Sequence, residues 1–296
     1  MFQTLQNTVS IDLTLVPDGP ILVRAQSVGI DPGIADMEFH RTHRNGKSTV
    51  FLAGSGLKGV LRSHCERLLR SSSPDGFACD PTQRNERCGD LGDPQPRRPH
   101  AGQCGACFTF GSLGLAGRFR ISDAYPKEGL EVETNRTEVR TGVGIDRRSQ
   151  AAATKQGVLY DSEVVIGGGF QTRISGENFS LWQLGLVLAA LQDLDSGLVR
   201  IGGAKARGMG GVHVRECSVE LGFLNKSDEI TGAKQMQNDR WRYGLPENDN
   251  IPVPEGGQAS HRGVFRTLQY KGETAVEALA SALTKGPLQT YLGERI

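Results

Sequence analysis

Four cysteines, Cys79, Cys88, Cys104 and Cys107, fall within 29 residues and end in a Cys-x-x-Cys pair. The surrounding segment is rich in Ser, Pro, Gly and Asp and has little apolar content of its own. Tetrahedral zinc suits this chemistry, because closing all four positions supplies the folding energy that such a segment otherwise lacks. His100 could replace one thiol. A redox Cys-x-x-Cys pair and unligated thiols are the competing readings, since the Cys79–Cys88 spacing is wider than that of a standard finger. Cys65 and Cys217 sit in apolar patterns and read as core residues.

A second chemistry is phosphate binding. Gly54-Ser55-Gly56-Leu57-Lys58-Gly59 opens a helical pattern, where glycines let the backbone approach a ligand and free amides favour an anion. Lys58 and Arg62, four residues apart, share one face. The spacing is not that of a P-loop. A related cluster, Ile201 to Gly210, mixes glycine with Lys205 and Arg207. Between the two lies a projecting arm carrying Arg140, Arg147 and Arg148. Such an arm suits a strand of nucleic acid.

The charge distribution agrees. Net charge is only +1, yet seven Lys/Arg stand against Glu66 alone between His40 and Arg70. That pattern points to a localised anion-binding face rather than a general coat. The chain of 296 residues can bury one substantial core. It has no apolar run near the roughly 18–20 residues that span a bilayer. Its N-terminus lacks the basic-then-apolar order of a secretion signal. A cytoplasmic protein without membrane contact is therefore expected, with reduced thiols.

The elements that must position these residues are legible in part. Thr8 to Val16 alternates as a half-buried strand. Residues 29 to 48 read as loop. The helix after Gly56 buries Leu57, Leu61, Cys65 and Leu69. Arg118 to Ala124 and Val158 to Ile166 read as strands. Ser180 to Gln183 reads as a capping box before a second helix. Gly211 to Leu221 is a strand with a slip near Arg215-Glu216, and Glu273 to Thr284 a small helix. This order predicts an α+β sandwich of the ferredoxin-like type.

Taken together, the motifs resemble the RAMP superfamily, backbone subunits of type III CRISPR effector complexes. The matching pieces are Gly54 to Arg62, Cys107 to Ser112 with Ile121 to Ala124, Gly144 to Arg147 with Gly157 to Tyr160, and Ile201 to Gly210. They span residues 8 to about 221; the tail from about Asn225 matches nothing. Gly54-Ser55-Gly56 stands where many relatives carry Gly-Ser-Ser.

The resemblance implies a ferredoxin-like (RRM-related) palm over residues 1–70 and 108–224, with a thumb hairpin at about 134–160. A zinc-binding insertion would fill 71–107, and 225–296 would be a C-terminal extension with a short helix. The expected partners are a guide RNA (crRNA), complementary target RNA and other type III effector subunits, neighbouring RAMP subunits included. Gly54, Ser55, Gly56, Lys58, Arg62, Arg140, Arg147, Arg148, Lys205 and Arg207 would face RNA. In cleaving relatives a loop aspartate cuts target RNA with Mg2+ or Mn2+. Asp36 is its match, with Asp31 as the rival and His40, Arg41 and His43 as helpers. A subunit that only grips guide RNA is the alternative. A guide-precursor nuclease ranks behind both, because the histidines form no convincing acid/base set.

Overall fold

A computed structural model describes residues 4–25, 35–72, 78–80, 82–83, 88, 103–153, 159–224, 228–233 and 249–293. Its principal elements are β1 (Asn7–Pro17), β2 (Arg41–Arg44), β3 (Lys47–Val50), α1 (Gly54–Ser72), α2 (Gly105–Phe110), β4 (Phe119–Ile121), β5 (Thr137–Val143), β6 (Leu159–Val165), β7 (Phe170–Glu177), α3 (Leu181–Asp195), β8 (Val212–Phe223), β9 (Gln258–Arg262), β10 (Phe265–Lys271) and α4 (Glu273–Leu283). The fold is mixed α+β, built on an antiparallel sheet.

β1 forms because Val9, Ile11, Leu13 and Leu15 alternate with polar residues. All four are buried, and Ser10 and Asp12 stay half-exposed on the other face. It sits in the middle of a sheet ordered β9-β10-β8-β1-β7-β4. The first six core elements therefore run β1-α1-β4-β7-α3-β8, with their strands in the spatial order β8-β1-β7-β4. The slip expected near Arg215-Glu216 is a bulge. The β1–β8 register shifts between Asp12 and Thr14, and Glu216 takes φ +52°.

α1 buries Leu57, Leu61, Cys65 and Leu69. α3 is buried almost all round, because the tail covers what the sheet does not. Tyr291 stacks on Trp182 with ring centroids 3.8 Å apart, and β10 pairs along β8. The tail thus packs on its own chain.

The start of α3 is held from both sides. Gln183 Oε1 accepts the Ser180 amide at 2.9 Å, and Asp249 Oδ2 accepts the Leu181 amide at 2.9 Å. Burial pushes the Asp249 carboxyl up to about 6. A raised folded pKa means the native state holds the proton more tightly, so stability is lost as pH rises through roughly 4 to 6. Asp249→Asn keeps an acceptor and removes the buried charge. It is expected to stabilise the protein by about 2 kcal/mol at pH 8 and to be near neutral at pH 4. Urea midpoints at the two pH values check this; an effect independent of pH contradicts it.

Candidate metal centre and nucleic-acid interface

The four thiols that the spacing singled out converge: Sγ of Cys79, Cys88, Cys104 and Cys107 all lie within 4.8 Å of one another. Local backbone geometry does much of this. Cys104 is the N-cap of α2 and its Sγ accepts the Cys107 amide at 3.4 Å, so the Cys-x-x-Cys pair spans one helical turn. Cys88 Sγ accepts the Cys104 amide at 3.3 Å. The four thiols titrate together: hydrogen bonds from Cys104 and Cys107 hold Cys79 and Cys88 below the ordinary thiol range, and sharing those protons holds Cys104 and Cys107 above it. Thiolate is the form that binds metal, and the cluster can hold a metal ion. Cys88, Cys104 and Cys107 are buried and Cys79 half-buried. His100 lies outside the described residues. Cys65, read as core, is fully buried, and Cys217 is half-buried.

The glycines at the head of α1 serve a joint. A Cβ at Gly54 would lie 2.3 Å from the Ile121 carbonyl oxygen, and the Gly54 amide donates to Asp123 Oδ1 at 2.7 Å. The Gly-Ser-Gly and Ile-Ser-Asp-Ala motifs are therefore one contact, and the Gly54 amide is engaged by a carboxylate. Sequence reasoning missed Asp123 as a cap; a carboxylate next to a strand end was the available signal. Ser55 and Gly56 remain exposed.

Lys58 lies one turn further on, half-exposed. Burial lowers its pKa first, then the nearby cations Arg62 and Arg120. Among the described residues no acid pairs with it. An anion placed there would relieve that repulsion. Arg62 is engaged instead with Glu66, Gly111 and Cys107.

The second glycine cluster folds back on the chain before it. Gly203 N donates to Leu22 O at 2.7 Å and Gly210 N to Pro20 O at 2.9 Å. Gly202 has φ +72°, and a Cβ there would sit 2.2 Å from the Leu22 oxygen, so no larger residue fits. At the apex a 3₁₀ turn, Lys205–Arg207, exposes both cations. Arg207 donates to the Tyr160 hydroxyl and lies 5.5 Å from the centre of its ring.

Tyr160 belongs to the arginine-bearing arm, which is a two-stranded hairpin of β5 and β6 separate from the main sheet. Its strands begin at Thr137 and end at Val165, a few residues later at each end than the expected 134–160. Asp146 caps the turn by accepting the Arg148 and Ser149 amides at 2.9 and 2.8 Å. Arg147 and Arg148 are exposed there, and Arg140 lies 3.9 Å from Glu138.

Asp36 is exposed beside β6 of the same hairpin, where its Oδ2 accepts the Asp161 amide at 2.9 Å. Met37 bridges Ser162, so the segment runs beside β6. Arg41 forms a two-pronged pair with Glu163 at 2.7 and 3.0 Å. His40 packs on the Phe51 ring at 4.3 Å, and His43 is exposed on β2. Asp31 lies outside the described residues. Asp36 and Arg207, 171 positions apart, thus meet consecutive residues, Tyr160 and Asp161.

A family model described as the RAMP superfamily matches residues 33–213. The chain belongs to the RAMP superfamily. Members of this family act in CRISPR RNA-binding complexes. No curated protein matches this RAMP chain. The family match takes in the Asp36 segment, both glycine clusters, the thiols and the hairpin, and leaves out β1 and the tail.

The open face of this RAMP sheet presents Ser10, Asp12, Gln171, Arg173, Ser175 and Glu177 along β1 and β7. Arg173 pairs with Asp12 and Arg120 with Glu177, each at 2.7 Å. None of these side chains is aromatic, and the two cations are paired with carboxylates. Lys58 on α1 and Lys205 on the 3₁₀ turn, by contrast, have no acidic partner among the described residues. Among the described residues no helix is long and apolar enough to cross a membrane.

Proposed function

We propose that this chain is a guide-RNA-binding backbone subunit of a type III CRISPR ribonucleoprotein, and that it cleaves complementary target RNA through Asp36 and a divalent metal. The observation that carries the proposal is the meeting of Asp36 and Arg207 at Tyr160 and Asp161, consecutive residues of β6 in the arginine-bearing hairpin. In this reading the β1-α1-β4-β7-α3-β8 unit is the ferredoxin-like palm (residues 1–70 and 108–224), and the hairpin is the thumb that interrupts the guide–target duplex. Residues 225–296 are an extension. The working place is the cytoplasm, beside neighbouring RAMP subunits.

Zinc is the metal proposed for the thiols of the 71–107 insertion. Zinc–sulfur bonds of about 2.3 Å set sulfurs roughly 3.8 Å apart in a tetrahedron. The 3.7 Å between Cys79 and Cys107 supports this.

For cleavage, a nucleotide flipped out at the thumb leaves its 2′-hydroxyl in line with the neighbouring phosphate. Asp36 takes the hydroxyl proton or anchors the ion. The 2′-oxygen bonds phosphorus as the P–O5′ bond breaks, leaving a 2′,3′-cyclic phosphate and a 5′-hydroxyl protonated from water. One of the Asp36 oxygens is held by the Asp161 amide, which fixes the carboxylate's direction. Mg2+ or Mn2+, when bound, supplies charge neutralisation at the phosphate. Of the three helpers, Arg41 is already paired with Glu163 and His40 packs on Phe51, which leaves exposed His43 free to meet that phosphate.

A grip-only subunit is the second reading. One observation favours it: among the described residues, the thiols are the one group of three or more candidate ligands that converges. An ion at Asp36 would then depend on RNA and water for its remaining oxygens.

RNA binding by the full chain tests the common part of both readings. Log affinity for a single-stranded RNA is expected to fall linearly with log salt. Lys58→Ala should flatten that slope by about 0.7, and adding Lys205→Ala by a similar amount again. Affinity that ignores salt and both substitutions contradicts the proposal.

A further inference from the structure

α1 carries a ladder of charges at four-residue spacing, Arg62, Glu66 and Arg70, turned toward the thiols rather than toward solvent. Arg62 Nη2 donates to Cys107 Sγ at 3.3 Å and Nη1 to the Gly111 carbonyl at 2.7 Å; Nε donates to Glu66 Oε1 at 2.8 Å. Arg70 Nη2 donates to the Cys79 carbonyl at 2.9 Å and lies 3.5 Å from Glu66 Oε2. Glu66 is 8% exposed. The ladder therefore reaches the first and last cysteines of the cluster, with a buried carboxylate fixing both guanidiniums.

We propose that Arg62 is a positioning residue for the metal–thiolate cluster, aiming Cys107 and offsetting its charge, with Glu66 and Arg70 holding it in place. This rests on the zinc reading of the thiols. Four thiolates around a divalent cation leave a net charge of about −2 in a largely buried site. A planar donor fork on one sulfur spreads that charge and fixes the sulfur's direction, as outer partners do at metal centres generally. α1 then has two jobs along its length: Lys58 in the first turn meets RNA, and Arg62 one turn later holds the metal centre.

The test uses the full chain loaded with zinc, in wild-type, Arg62→Lys and Arg62→Met forms. Metal content is measured first, and then the rate of zinc release to a chromogenic chelator. Arg62→Met is expected to release zinc roughly 10–100-fold faster, with Arg62→Lys between it and wild type. In cobalt-substituted protein the sulfur-to-metal absorption band should move to longer wavelength in Arg62→Met, a change that a purely packing role does not produce. If Arg62→Met does not fold, Arg62→Lys carries both readouts. Wild-type release and an unmoved band in the variants overturn the proposal. A wild-type chain that never holds metal overturns the zinc reading itself, and this inference with it; stoichiometric metal with unchanged release overturns only the role of Arg62.

Discussion

Asp36→Ala is expected to leave guide and target RNA bound while slowing target cleavage by roughly 10²–10⁴-fold, the range a positioned acid–base group or metal anchor contributes. Binding should survive because the cations proposed to carry it lie elsewhere, on α1 and the Lys205–Arg207 turn. The substitution removes one acceptor of the Asp161 amide, on an exposed segment, so little stability is at stake. Thr141 continues to hold the Asp161 side chain at 2.6 Å. The assay is cleavage by the assembled complex with Mg2+ and with EDTA, with Asp31→Ala beside Asp36→Ala. Cuts that persist in Asp36→Ala and vanish in Asp31→Ala move the chemistry to the neighbouring aspartate. Cuts that persist in both make this subunit a scaffold.

The second large effect is on stability. Cys107→Ser is expected to abolish stoichiometric metal and to cost about 3–5 kcal/mol, or roughly 10 °C in melting temperature. The loss should not be confined to the insertion. Cys88, Cys104 and Cys107 belong to the same buried cluster as Phe108, Phe110 and Phe119. Losing the ligand set would therefore loosen the contact of α2 with α1 and the sheet. Prolonged chelation of wild type should reproduce the shift. A melting curve that neither chelator nor Cys107→Ser moves contradicts a metal in the thiols.

Period and capping signals carried much of the fold. Alternation from Thr8 to Val16 gave β1 to within a residue at each end, and Ser180-to-Gln183 marked the start of α3. The bulge at Arg215-Glu216 and the helix from Glu273 were legible for the same reason: each is a local pattern. One local signal was overlooked. Residues 41–48, read as loop, supply most of the β2–β3 hairpin closed by Asn45-Gly46, both with positive φ, a pair that favours such turns.

What could not be read was the identity of distant partners. Arg62 shares a helix face with Lys58, and the family resemblance therefore turns both toward RNA. Only the fold brings Cys107, 45 positions away, against the guanidinium. Asp123 on Gly54, Glu163 on Arg41 and Asp249 on the head of α3 are the same case. The burial of α3 on all sides needed the tail, whose sequence matched no motif. Clustering of the four thiols was legible because Cys-x-x-Cys spacing is itself a local geometry.

The most direct test of the central claim is to crosslink guide RNA to this chain inside the assembled complex and to identify the peptides. The account predicts crosslinks in Gly54–Arg62 (through Lys58), in Ile201–Gly210 (through Lys205 and Arg207) and along the hairpin from Arg140 to Tyr160. Crosslinks confined to the open sheet face, at Arg173 or Arg120, or none to this chain, would contradict it.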